Sequence, residues 1–194
     1  MDRVHRRWLT FGIVGIVAGF IVGYSIYVFT SGNFRTVTPG ECYRSGQLTG
    51  KQLVDYHKKY GIRSVLNLRG ELTEYKLYQE EIKICEQLNI KHYDVKLSAK
   101  KEPTPGAVNE ILGIFDSAPR PILIHCLGGS DRASLVSAMW KVWVDGASKE
   151  EAKKQMSIWY GHMPVGETSA MDEFFDTWAD EITQEQCVQF EYAK

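Results

Sequence analysis

Residues 122–134 read ILIHCLGGSDRAS, and this stretch decides the fold. A short apolar run entered through Pro121 has the character of a strand buried on both faces, as a parallel sheet requires. It passes directly into a glycine-containing loop, and the loop into a helix predicted over 132–144 that Gly146 terminates. In such a unit the loop amides and the first helical turn converge on one point, to which the helix N-terminus adds partial positive charge. The result is a cradle for an oxyanion. Cys126 opens the loop and Arg132 closes it six positions later. Amides and guanidinium favour the thiolate of a cysteine held there, which is its nucleophilic form. A planar guanidinium can also grip two phosphate oxygens at once, where a lysine would act as a point charge.

Outward from this loop the chain alternates strand and helix signals without internal repeats, which predicts an α/β fold with a mostly parallel central sheet flanked by helices. Thr49 to Gln52 is a capping-box pattern opening a helix to Tyr60, with Gly61 just past its end. Residues 63–68 form a β-branched run, and 91–97 a second strand. Between them, a helix over 74–88 lines up Tyr75, Tyr78, Ile82 and Cys85. Thr104 and Pro105 open a helix whose Val108, Ile111, Leu112 and Phe115 face the core. Ser148 caps a further helix. Met171, Phe174, Phe175, Trp178 and Ile182 keep helical spacing in the acidic C-terminal stretch, where eight acids from Glu167 onward face one lysine.

The whole chain has 194 residues, 44% of them apolar, and a net charge of -1. That suits one domain of ordinary size and excludes a disordered chain or a strongly basic nucleic-acid binder. Removing the basic tip, residues 1–7 with Arg3, Arg6 and Arg7, leaves 20 basic and 23 acidic side chains. The cysteines, Cys42, Cys85, Cys126 and Cys187, form no CxxC pair and no metal-ligand spacing with the five histidines, so neither a metal nor another cofactor is expected. In an exported domain Cys42 and Cys85 could still pair.

Residues 8–29 are uncharged and, as a helix, span roughly the 30 Å of a bilayer core. The run is longer than the apolar stretch of about 7–15 residues in a cleaved signal, and 23–25 and 30–32 fit a small-x-small cleavage site only loosely. The expectation is an uncleaved membrane anchor, a linker over 30–39 and one domain over 40–194. The basic tip keeps the N-terminus cytoplasmic and puts the domain across the membrane, in the periplasm if the source is bacterial. Gly15, Gly19 and Gly23 recur every fourth residue, a small-residue stripe through which two such helices can pair as a homodimer.

His125 and Cys126, with five residues before Arg132 and Gly129 between them, resemble the signature of the cysteine-dependent protein-tyrosine phosphatase superfamily. Residues 42–47 (CYRSGQ) and 67–71 (NLRGE) extend the resemblance to its compact bacterial, dual-specificity-like members. The resemblance implies attack by Cys126 on a phosphate monoester, a phosphocysteine intermediate, and phosphate bound by Leu127, Gly128, Gly129, Ser130, Asp131 and Arg132. It implies a phosphotyrosyl protein or a related monoester as substrate. A lipid-phosphate phosphatase and a weakly active phosphate-binding scaffold are the alternatives.

Three departures accompany it. The family usually has Ser or Thr after the arginine, whereas Ala133 stands here, so Ser130 or Ser134 would have to help the thiolate leave. Relatives acting on highly phosphorylated inositols carry lysines in the loop, whereas Leu127 and Ser130 stand here. The general acid is open among Asp94, Asp131 and Glu102. Asp94 lies 32 residues before Cys126, a separation that resembles the dual-specificity pattern. Asp131 resembles the proposed acid of some lipid-phosphatase relatives, and Glu102 occupies a polar loop. His125 is expected to order the loop. Arg44 and Arg69 are expected in ion pairs with acids such as Glu41 or Glu71, His162 in a surface loop or at the cleft, and Trp140 and Trp143 in the packing.

Overall fold

The structure, a computed structural model, describes residues 3–163 and 166–192. The side chains of Arg3, Arg6 and Cys187 lie outside the described residues. The chain runs α1 (Arg3–Ser31), β1 (Arg35–Thr38), β2 (Cys42–Ser45), α2 (Gly50–Tyr60), β3 (Ser64–Asn67), α3 (Lys76–Gln87), β4 (Lys91–Asp94), α4 (Pro105–Ser117), β5 (Ile122–His125), α5 (Asp131–Trp143), α6 (Lys149–Lys153) and α7 (Ser169–Tyr192). The strands form one sheet in the order β1-β2-β5-β3-β4. Only β1 and β2 pair antiparallel; the other three pairs are parallel. The mostly parallel sheet expected from the sequence is therefore present, with β5 at its centre.

Alternation along each strand feeds two apolar layers. Cys42, Leu66, Ile122 and Ile124 join the core shared with α4, α5 and α7, while Tyr43, Val65 and Leu123 pack with Leu53 of α2 and Cys85 of α3. Val65, Leu66, Ile122, Leu123 and Ile124 are all essentially fully buried, and each such side chain contributes about 1.5–3 kcal/mol. Cys42 and Cys85 sit in different layers on opposite sides of the sheet and both are free thiols, so they do not pair.

The local signals act as their chemistry dictates. Thr49 and Gln52 close a reciprocal capping box on α2, which ends on Gly61 in the left-handed region. Thr104 and Ser148 cap α4 and α6. In α7, Met171, Phe175 and Trp178 are buried, with Phe174 and Ile182 packed beside them. Trp140 is fully buried, edge-on to Phe115, and Trp143 Nε1 donates to Asp116.

The expected linker needs correction. Residues 30–39 contain the end of α1 and all of β1, because Val37 has a core face to fill and Arg35 pairs in register with Arg44. α1 contains one stretch, Phe11–Val28, long and apolar enough to cross a membrane, with a mean hydropathy of 2.1 and none of it buried. Gly15, Gly19 and Gly23 face open space on this helix. It ends where Gly32 and Asn33 turn into left-handed backbone, at φ 62° and 54°.

Candidate active site

Between β5 and α5, residues 126–130 form a loop whose carbonyls are drawn away from its centre. The Gln47 amide donates to the Leu127 carbonyl at 3.0 Å. Asn33 Nδ2 donates to the Gly128 carbonyl at 3.1 Å, and Arg44 Nη2 to those of Gly129 and Ser130 at 2.7 and 3.2 Å. With carbonyls secured outside, the same peptides direct their N–H groups inward, which is the condition for an anion nest. Arg44 is fully buried, its Nη1 donates to the Gln155 carbonyl at 2.8 Å, its Nε has no hydrogen-bond partner among the described residues, and its guanidinium lies 4.5 Å from the Tyr160 ring centroid. Burial pulls its ordinary value down to about 10, which leaves it charged at neutral pH. The ion pair expected with Glu41 or Glu71 is absent: Glu41 pairs with Arg120, and Arg44 is a clamp on the loop.

Gly129 takes φ +72°, and a Cβ there would lie 2.5 Å from the Gly46 amide nitrogen. The loop can therefore lie against Ser45 and Gly46 only with glycine at that position. Cys126 follows β5 and is 3% exposed. Arg132, in the first turn of α5, directs Nη1 to the Leu68 and Leu97 carbonyls, both at 3.4 Å. Its buried Nε has no hydrogen-bond partner among the described residues. A guanidinium held at one end by long bonds, with an unpaired donor, is fitted to take an oxyanion. Cys126, Leu127, Gly128, Gly129, Ser130, Asp131 and Arg132 thus follow one another around this loop and into the first turn of α5.

Behind the loop lies a buried polar group that the helical periodicity of 74–88 does not reveal. Glu81 is 4% exposed; its Oε1 accepts from Nε2 of His125 at 3.1 Å and of His92 at 2.9 Å, and its Oε2 from Gln47 Nε2 at 2.8 Å. His125 Nδ1 lies 3.3 Å from the Cys126 carbonyl, so this network reaches the nucleophile's own peptide. Burial alone would raise the Glu81 carboxyl, but His125 and His92 outweigh it and hold it down to about 2. Burial likewise works against a charged His92, yet the hydrogen bonds it donates to Asp94 and Glu81 lift it to about 9. Ligand atoms of Glu81, His92 and His125 lie within 4.8 Å of one another, a spacing a metal ion could also use. Both ring nitrogens bear on a single carboxylate oxygen at hydrogen-bonding distance, so proton sharing accounts for the cluster. Arg69 also departs from expectation: Nη1 donates to Gln47 Oε1 at 2.9 Å, which adds it to the same network in place of an ion pair.

The three acid candidates fall in different surroundings. Asp94 ends β4, two strands from β5 and hence roughly 10 Å across the sheet. Its carboxylate accepts from Asn67 Nδ2 and the Tyr78 hydroxyl, each at 2.7 Å, and faces His92 at 3.4 Å. Burial would raise this carboxyl, but His92, Tyr78 and Asn67 together lower it, so Asp94 is an anchored anion, level with His125 in the sheet register. Glu102 is exposed in the loop after Leu97. Asp131 begins α5, and its Oδ1 lies 2.9 Å from His162 Nδ1, whose Nε2 lies 2.9 Å from Asp172 Oδ2. His162 is only 1% exposed, so the surface-loop expectation is corrected. Burial opposes its charged form, but hydrogen bonds to Asp131 and Asp172 outweigh that and raise its value. Ser134 Oγ is 2.6 Å from Arg44 Nη2, on the clamped side of the loop, and Ala133 is fully buried.

With this geometry in place, comparisons with known proteins are informative. A family model described as "DSP-PTPase phosphatase fused to NAD+ Kinase" matches residues 30–173. No curated protein matches the sequence. Among solved structures, P. aeruginosa TpbA is 18% identical, covers 76% of this chain and 86% of its own, and has a TM-score of 0.60. A cysteine-to-serine form of TpbA in complex with pTyr is 19% identical, with 75% and 83% covered and a TM-score of 0.59. The core catalytic domain of the PP-IP phosphatase SIW14 from S. cerevisiae, in complex with citrate, is 22% identical, with 82% and 93% covered and a TM-score of 0.64. At these identities the solved structures establish the shared fold.

Proposed function

This chain belongs to the DSP-PTPase phosphatase family, and from that membership we propose that it is a membrane-anchored enzyme hydrolysing phosphotyrosine or a related phosphate monoester through a phosphocysteine intermediate. The observation that carries this reading is the loop from Cys126 to Arg132, with its carbonyls tied outward to Gln47, Asn33 and Arg44 and the Arg132 Nε unpaired. Such a nest stabilises phosphoryl charge in a fixed geometry, and that supplies most of the rate in a reaction of this kind. TpbA in complex with pTyr supports an aryl phosphate as substrate.

In the first step the Cys126 thiolate attacks phosphorus, the phosphorus–oxygen bond to the leaving group breaks, and that oxygen takes a proton. In the second, water attacks phosphorus, gives up a proton, and the thiolate leaves. We assign the proton transfers to the Asp131–His162 pair: the proton shared between Asp131 Oδ1 and His162 Nδ1 passes to the leaving oxygen in the first step and is replaced by the one water gives up in the second, while the Asp94 carboxylate is engaged by Asn67, Tyr78 and His92. The Glu81 group orders the Cys126 peptide through His125. The phosphatase domain then begins at the end of α1, earlier than residue 40, and α1 anchors it across the membrane from a cytoplasmic N-terminus, on the periplasmic side in a bacterium. Pairing of two anchors through Gly15, Gly19 and Gly23 rests on their spacing.

The test is hydrolysis of an aryl phosphate by the full-length protein in detergent. Wild type should turn over and Cys126→Ser should not; equal rates would sink the reading. Asp131→Asn should lower kcat with little change in KM, Asp94→Asn should leave kcat near wild type, and the reverse pattern would reassign the acid. A wild type that binds vanadate without hydrolysis would indicate a scaffold.

A further inference from the structure

The phosphate loop is attached to the end of α1 by a clamp that the reaction itself does not require. Asn33, two residues past the helix, is buried, and its Nδ2 donates both to the Gly128 carbonyl and to the Tyr160 carbonyl at 3.1 Å. The Gly46 amide donates to the Gly32 carbonyl at 2.8 Å, and the Tyr56 hydroxyl to that of Ser31 at 2.8 Å. The orientation of the cleft is thus fixed relative to the helix axis.

The turn Ile158–Tyr160 descends alongside α1: the Tyr24 hydroxyl donates to the Trp159 carbonyl at 2.7 Å. Tyr24 lies seven residues, about 10 Å, before the helix end at Ser31, and about 8 Å inside the outer end of the uncharged run 8–29. If the span ended before Tyr24, to keep the turn out of the membrane, only about 24 Å of uncharged helix would remain against a core of about 30 Å. A turn at this level therefore meets the interfacial layer. Its outward residues suit that layer. Ile158 is 65% exposed, Trp159 66% and Met163 55%, and Leu127 of the loop itself is 61% exposed. Large apolar side chains grouped on one rim mark an interaction surface, and tryptophan and tyrosine favour the membrane boundary. Between helix end and loop runs a groove of about 560 Å³ lined by Val28, Thr30, Asn33, Gln47, Leu127 and Gly128. It runs from the edge of the apolar span to the outer, carbonyl side of the phosphate loop at Leu127 and Gly128.

We propose that the rim formed by Leu127, Ile158, Trp159 and Met163 seats in the interfacial layer of the bilayer crossed by α1, so that the cradle receives a phosphate monoester borne on a lipid. This rests on the phosphatase reading for its chemistry and on α1 crossing the membrane for its geometry. The bilayer is the favoured occupant because the rim continues the exposed apolar surface of α1 and is bonded to it. The domain's net-acidic character gives no long-range attraction to an anionic surface, so apolar contact and the anchor have to supply the docking.

The test uses the full chain in phosphatidylcholine vesicles containing phosphatidic acid, with Trp8→Phe as background. Phosphatidylcholine brominated on its acyl chains should quench a fluorescence component that Trp159→Phe removes. Ile158→Ser with Trp159→Ser should lower phosphatidic acid hydrolysis in vesicles by at least about tenfold, a lower bound for removing two large apolar contacts, and leave p-nitrophenyl phosphate hydrolysis unchanged. Absence of quenching at Trp159 would overturn the docked rim whether or not the protein is active. Equal vesicle rates for both proteins, or a soluble phosphotyrosyl peptide preferred over phosphatidic acid, would overturn the lipid-borne substrate. Failure to hydrolyse even p-nitrophenyl phosphate would instead count against the phosphatase reading, and the quenching result would still decide the rim.

Discussion

Replacing Glu81 by Gln removes a buried anion while keeping the side chain's size, and the consequence can be worked out with its sign. Glu81 is held down to about 2 from an ordinary value near 4.5. Its stabilisation is therefore complete above pH 4.5 and lost as pH falls toward 2. His92 is lifted to about 9 from an ordinary value near 6.5, so its stabilisation is complete below pH 6.5 and lost as pH rises toward 9. The domain should be most stable between about pH 4.5 and 6.5, where both groups are charged in the folded state. Each interval is worth about 3 kcal/mol at roughly 1.4 kcal/mol per pH unit, and since both arise from one hydrogen-bonded group they count once. At pH 6, Glu81→Gln should cost about 3 kcal/mol, or about 6–12 °C in Tm for a domain of this size. The penalty should shrink toward pH 3 and pH 9, where the wild-type protein has itself lost part of this stabilisation. Circular-dichroism melts of full-length wild type and Glu81→Gln in detergent between pH 3 and 9 would measure this. Equal Tm values at pH 6, or a wild-type Tm that does not fall between pH 6.5 and 9, would refute the reasoning.

Other substitutions separate the parts of the loop. Gly129→Ala should cost over about 2 kcal/mol and abolish turnover, because its Cβ would meet the Gly46 nitrogen at 2.5 Å; Gly146→Ala, with φ +64° but open space around it, should cost only about 1–2 kcal/mol and keep activity. Arg44→Lys should lose at least one charge-assisted bond to the loop, about 1.5–3 kcal/mol, and lower kcat, since three donors on a flexible stem cannot meet the Gly129, Ser130 and Gln155 carbonyls and Ser134 together; stopped-flow turnover with a denaturant melt checks both. If Ala133 limits departure of the thiolate, aryl phosphate hydrolysis should show a burst followed by a slow steady rate, and Ala133→Ser should raise the steady rate with the burst amplitude reduced.

The pattern of these sites explains what the sequence can reveal. The strand 122–125, the loop and the helix after it are contiguous, so periodicity and spacing place Cys126 and Arg132 together without tertiary knowledge. The capped helices and the Met171 to Ile182 face are likewise local patterns. Glu81 is hidden because it sits beside Glu80 on an amphipathic helix, where an acid reads as solvated; its partners Gln47, His92 and His125 come from three other segments. His125, the polar residue that closes the apolar strand 122–125, is the available signal. Arg44 reads from the sequence as one half of an ion pair and not as a clamp, since its acceptors include backbone carbonyls 85 and more residues away. His162 and β1 escape for a related reason: each gains its place from contacts with distant residues, Asp131 and Arg44 respectively, and from no local pattern.

The central claim is that Cys126 becomes covalently phosphorylated in a cradle completed by Arg132. Acid quenching of full-length protein during turnover of an aryl phosphate, followed by mass spectrometry of the peptide containing Cys126, tests it most directly. The account predicts a phosphate's mass on Cys126 in wild type, retained longer than in Ala133→Ser and absent in Arg132→Ala. Turnover with no phosphate trapped on Cys126, or phosphate on another residue, would contradict it.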